Sequence, residues 1–130
     1  MTQDIHKLLS EGERVTLECK KATKGVPSSL WDTYSAFANT YGGTILLGVV
    51  EHMDEQDNTK RFEIVGVDDA DKIRKDLWNT VNSHEKVNIN LLYDDDIQTI
   101  DIDGKKIIAI NVPRADYTVR PVYINNNLSR

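Results

Sequence analysis

The chain has 130 residues, of which 39% are hydrophobic and 28% charged, and its formal net charge is −5. That length serves one domain with one core. No apolar run approaches the roughly 18 residues of a membrane-spanning helix, and the lone Cys19 excludes an internal disulfide or a cysteine-built zinc cluster within one chain.

The N-terminus, Met1-Thr-Gln-Asp-Ile-His-Lys, lacks the apolar centre of a secretion signal, so a cytoplasmic protein is expected. Residues 2–10 carry Ile5, Leu8 and Leu9 at helical spacing, with Thr2 or Asp4 as caps. Residues 14–20 alternate: Val15, Leu17 and Cys19 are expected to face the core, and Thr16, Glu18 and Lys20 the other way. Cys19 then reads as a small buried hydrophobe. Gly25 and Pro27 mark a loop. Ser28 or Ser29 can cap a second helix, where Ser29-x-x-Asp32 has the form of a capping box. Its apolar stripe is Leu30, Tyr34, Phe37, Ala38 and Tyr41, so the helix is expected to run to about Tyr41.

Gly42-Gly43 offers the left-handed conformation that stops a helix. Residues 44–50 come next as an unalternating apolar strand, the pattern of a strand covered on both faces. Residues 51–60 are polar and read as a hairpin loop, with the return strand at 62–67. Asp68, Asp69 or Asp71 starts a third helix with the stripe Ile73, Leu77, Trp78 and Val81. Residues 87–93 read as a strand and 98–112 as a hairpin turned by Asp103-Gly104, a pair suited to two positive φ angles. Residues 115–124 add a loop and a short last strand. The sum is an α+β domain: a mixed, largely antiparallel sheet of about six strands with about three helices.

The features that carry chemistry are few. Lys20, Lys21 and Lys24 form the one tight basic cluster, and Arg114 and Arg120 can extend it into a rim for phosphates. The acidic total limits the affinity such a rim provides by itself. Asn39, Thr40, Gly42 and Gly43 sit at a rigid corner that either caps a helix or lines a small pocket. His6, His52 and His84 are too widely spaced for a metal set and read as surface residues. There is no phosphate loop of the G-x-x-x-x-G-K-S/T form. Gly42-Gly43 joins helix to strand, the reverse of a dinucleotide fingerprint. Trp31 and Trp78 read as core rather than as base-stacking platforms.

Two segments together resemble a known family. Glu13-x-x-x-x-Glu18-Cys19-Lys20 is similar to the first strand motif of the Schlafen AlbA-like domain. Ala36-Phe-Ala-Asn-Thr-Tyr-Gly-Gly-Thr-Ile-Leu-Leu-Gly-Val49 is similar to that domain's central helix–turn–strand. The order of the later segments also resembles it: Ile64-Val-Gly-Val-Asp-Asp69, a helix, the hairpin at Asp103-Gly104-Lys105, and Arg120-Pro-Val-Tyr-Ile124. The resemblance implies a single domain over residues 1–130, the N-terminal part of a longer bacterial transcriptional regulator or RecG-helicase-related protein, with an effector region after Arg130. It implies a DNA-binding module as the first reading. A ligand-sensing or protein-interaction domain that controls the effector is the second. A third comes from animal Schlafen proteins that cleave RNA with three carboxylates: Glu13 and Glu18 match two of them, and Glu51 is the candidate third, one residue later than the family's position. In that case Mg or Mn is the cofactor, held by Glu13 and Glu18; otherwise none is required. DNA or RNA, the attached effector and a second copy of the chain are the partners left open, and no membrane is expected.

Overall fold

The computed structural model describes residues 17–52, 61–83, 90–116 and 122. The chain order is β1 (Leu17–Lys20), α1 (Ser29–Ala38), β2 (Gly43–Leu47), β3 (Val49–Glu51), β4 (Phe62–Ile64), α2 (Ala70–Val81), a 3-10 turn (Asp94–Asp96), β5 (Ile97–Ile102) and β6 (Lys105–Val112). Four strands form a mixed sheet in the order β1-β2-β6-β5, and β3 and β4 form a separate hairpin. Among the described residues only β1 and β2 run parallel; β2 with β6, and β6 with β5, are antiparallel. The α+β class therefore holds, with six strands and two helices among the described residues. The expected helix at 2–10 and the loop at 53–60 lie outside them, as does the expected last strand except for Val122.

Burial divides the sheet into two unequal faces. The larger core packs Leu30, Trp31, Tyr34 and Ala38 of α1 and Ala70, Ile73, Leu77 and Val81 of α2 against Ile45, Leu47, Ile97, Ile108 and Ile110. The smaller core joins Leu46, Ile100, Ile107 and Ala109 on the opposite face to Val49 of the hairpin, with Leu17, Cys19, Phe62 and Ile64 packed against it. Both faces of β2 are thus covered, which explains its unalternating apolar sequence. The alternation expected for β1 holds, but the core that its apolar side meets is the smaller of the two. Leu17 and Cys19 turn to the smaller core, while Glu18 and Lys20 lie on the helix-bearing face, in register with Ile45 and Leu47.

Other expectations shift for local reasons. Helix α1 stops at Ala38, with Asn39 as its C-cap, and Tyr41 is 85% exposed rather than part of the stripe. Gly42, at φ +77°, ends the helix: its amide returns to Phe37 O at 2.7 Å. Ser28 is the N-cap residue but makes no side-chain cap bond, so the anticipated box is absent. The predicted strand over 44–50 breaks at Gly48, whose φ of +96° swings the chain out of the sheet into the hairpin. The strand predicted at 62–67 ends at Ile64. Of the three candidate aspartates, Asp69 caps α2, accepting from Lys72 N at 3.1 Å. Residues 90–93 are not a strand; they lead irregularly into the 3-10 turn, with Leu91 N donating to the buried Tyr34 hydroxyl at 3.0 Å. The β5–β6 hairpin forms as expected, with Asp103 and Gly104 at φ +52° and +79°.

Candidate nucleic-acid interface

The two ends of β2 carry the two sets of candidate residues. At its start, Gly43 pairs with Val112; at its end, Leu47 faces both Lys20 and Ile108. The helix–glycine corner and Arg114 therefore lie at one end of the sheet, and the lysine cluster lies at the other. The intervening strand spans roughly 13 Å at about 3.3 Å per residue. A single basic rim from Lys20 to Arg114 is not what the topology assembles. Glu13 and Arg120 lie outside the described residues.

At the corner, polar groups are consumed internally. The Asn39 side chain pairs with the backbone of Val122 on both sides: Nδ2 donates to Val122 O at 2.7 Å and Oδ1 accepts from Val122 N at 2.7 Å. Ser35 Oγ donates to the same carbonyl. One amide side chain thus replaces a strand partner for a residue 83 positions later, rather than only fixing its own turn. The Thr40 hydroxyl returns to Ala36 O at 2.8 Å. Gly42 is buried, and a Cβ there would meet Val112 O at 2.7 Å. Thr44 bonds Asn111 across the strands at 3.1 Å. The four corner residues Asn39, Thr40, Gly42 and Gly43 hold α1, β2, β6 and the segment at Val122 together.

Glu18 and Glu51 each have a cationic neighbour. Glu18 is on the helix-bearing face, half-exposed, 3.9 Å from the Lys20 ammonium. Glu51 belongs to β3 and is held by Arg61, whose Nε donates to Oε2 at 2.8 Å. Cys19 senses both: burial, then Glu51, then Glu18 push its thiol up to about 12. It is therefore a neutral thiol and a poor nucleophile. Among the described residues no three His, Cys, Asp or Glu side chains are grouped to hold a metal ion. Glu18 and Glu51 belong to different sheets, and Glu13, the third carboxylate of the expected set, lies outside the described residues. His52 pairs with Glu63 at 2.9 Å.

The lysine end differs in kind. Lys20 itself is 13% exposed and donates to Ser29 Oγ at 3.2 Å, fastening β1 to the first turn of α1. Lys21 and Lys24 are exposed, and among the described residues neither has an ion-pair partner. The loop that bears them is tied at its centre, where Thr23 O accepts from Asp68 N at 2.8 Å. Lys105 and Lys106, at the start of β6, are exposed at the same end of the sheet. In the sequence they belong to a hairpin turn and carry no signal of a site. Only the β2–β6 register brings them beside a loop some eighty positions earlier.

Trp31 is buried in the larger core and the half-buried Trp78 packs against it. No helix among the described residues is long and apolar enough to cross a membrane.

Comparison with known proteins agrees with the motifs. No curated protein matches the sequence. Among solved structures, the chain is similar to the N-terminal domain of an ATP-dependent DNA helicase RecG-related protein from Nitrosomonas europaea. The two are 28% identical with a TM-score of 0.70, over 95% of this chain and 81% of that one. It is also similar in fold to the DIP2311 protein from Corynebacterium diphtheriae, at 19% identity and TM-score 0.55; the match takes in 94% of this chain but spans only 23% of that one. Residues 13–129 match the family described as Schlafen, AlbA_2, and the chain belongs to that family.

Proposed function

We propose that this domain is a DNA-binding module of a transcriptional regulator, gripping the phosphate backbone without reading bases. The observation that carries the proposal is the pair Lys21 and Lys24: two exposed ammonium groups without an ion-pair partner among the described residues, on a loop tied to the protein frame at Thr23. Phosphate contacts need only such donors, and they position a protein without specifying sequence. Family membership supports the same direction, as does similarity to a domain of a protein named for a DNA helicase. Lys20 supports the loop through Ser29 rather than facing outward. Arg114, at the far end of β2, is outside this contact surface.

The net charge of −5 sets the scale of the interaction. Few phosphates are neutralised, so affinity is modest and falls with added salt, because each contact releases condensed counterions. Tight binding then requires a second copy or an attached effector to add contacts. Titration of a labelled DNA duplex at several salt concentrations tests this. Salt-sensitive binding is the expected result; none, even at low salt, refutes the proposal.

A further inference from the structure

The exit from the β3–β4 hairpin joins two lysine-bearing limbs. Gly48 O accepts from both Val65 N and Gly66 N at 2.9 Å. The next two amides diverge: Val67 N donates to Lys106 O and Asp68 N to Thr23 O, each at 2.8 Å. Consecutive residues of one short segment thus fasten the start of β6 and the loop after β1 to each other. The packing at this junction is close. A Cβ on Gly48 would lie 3.1 Å from Gly66 Cα, and one on Gly66 would lie 3.1 Å from Lys105 Cβ. Both glycines have positive φ, at +96° and +79°. The junction therefore fixes the relative position of the limbs by backbone alone and leaves the lysine side chains at the surface.

We propose that Lys21 and Lys24 on one limb, and Lys105 and Lys106, which leave β6 on opposite faces, on the other, form one two-limbed surface at the end of the sheet for the phosphates of a DNA strand. The proposal rests on the DNA-binding function above and extends it to residues that function does not need. The limbs flank the end of β2, two strand spacings or roughly 10 Å apart. Phosphates of one strand advance about 3.4 Å each along the helix axis. The limbs are therefore far enough apart to meet different phosphates of one strand. Among the described residues Lys21, Lys24 and Lys106 have no ion-pair partner, and Lys105 Nζ donates to Ile64 O at 3.3 Å.

Acidic groups bound this surface. Asp69 is committed to the α2 cap, Glu18 is beside Lys20, Asp101 is the register partner of Lys106 and Asp103 is in the turn. They confine favourable phosphate positions to the lysine limbs and disfavour deep wrapping of the duplex.

The test uses the 130-residue chain, a labelled DNA duplex, and the slope of log affinity against log salt. Each lost phosphate contact lowers the slope by about 0.9. Lys105→Ala with Lys106→Ala is expected to lower it by about 2, Lys21→Ala with Lys24→Ala by a similar amount, and all four together by about 4. Thermal unfolding of each variant shows that the fold is retained. If the slope falls for the Lys21 and Lys24 pair but not for the Lys105 and Lys106 pair, the two-limbed surface is overturned and the DNA-binding function stands. If neither pair changes it, the surface is again overturned, and DNA contacts some other part of the chain. If the unsubstituted chain shows no salt-sensitive binding, both fall together.

Discussion

The two ends of β2 use polar residues in opposite ways. At the Gly43 end, side chains are spent on the protein itself: Asn39 on both backbone groups of Val122, Ser35 on the same carbonyl, Thr44 on Asn111. At the Leu47 end, backbone groups make most of the internal bonds, through Gly48, Val65, Gly66, Val67 and Asp68; Lys20 and Lys105 add one side-chain bond each, and Lys21, Lys24 and Lys106 are exposed. The conspicuous motif spends its side chains on the fold, whereas the inconspicuous turn keeps Lys21 and Lys24 at the surface, where the proposed function would use them.

Substitutions that break this contrast are ordered by expected effect. The largest is Gly42→Ala. It places a non-glycine residue at φ +77° and drives a Cβ to 2.7 Å from the Val112 carbonyl. Left-handed strain of about 1–2 kcal/mol and the backbone clash together predict a loss of about 3 kcal/mol, seen as a lowered midpoint in urea unfolding. Asn39→Ala comes second. It strips both partners from the backbone of the buried Val122, leaving only Ser35 on its carbonyl, with a cost of about 2 kcal/mol. A stability unchanged within about 0.5 kcal/mol would mean that the clasp does not hold the fold.

A smaller effect is expected at high pH. The Cys19 thiol is raised from 9.0 to about 12, chiefly by burial and then by Glu51 and Glu18. Its contribution to stability is fully present below the unfolded pKa near 9 and is lost as pH rises towards 12, because the unfolded chain ionises first. Cys19→Ser removes that part of the alkaline decline, which pH-dependent urea unfolding can measure. In the folded protein near pH 8, Cys19 is expected to alkylate much more slowly than in the unfolded chain.

Much of the fold is readable in the sequence where one physical cause dominates. The Asp103-Gly104 turn, the α2 stripe with its Asp69 cap and the buried run of β2 each arise from local pattern. The errors arise where pattern is ambiguous. Alternation in β1 shows that Leu17 and Cys19 share a face, but not which face of a doubly covered sheet holds the larger core. Tyr41 continues the helical spacing, yet Gly42 ends the helix before Tyr41 can be buried. Gly48 lies within an apolar run, and only its positive φ reveals that the strand changes sheet there. The candidate site was half visible. Lys21 and Lys24 are close in sequence, but Lys105 and Lys106 join them through strand register, which no local signal encodes.

The central claim is that phosphate contact belongs to the lysine end of the sheet and not to the glycine corner. Its most direct measurement is the salt dependence of duplex binding by Lys21→Ala/Lys24→Ala set beside Arg114→Ala. The account predicts a slope lower by about 2 for the lysine pair and no change for Arg114→Ala. An equal fall in both, or a fall only in Arg114→Ala, would contradict it.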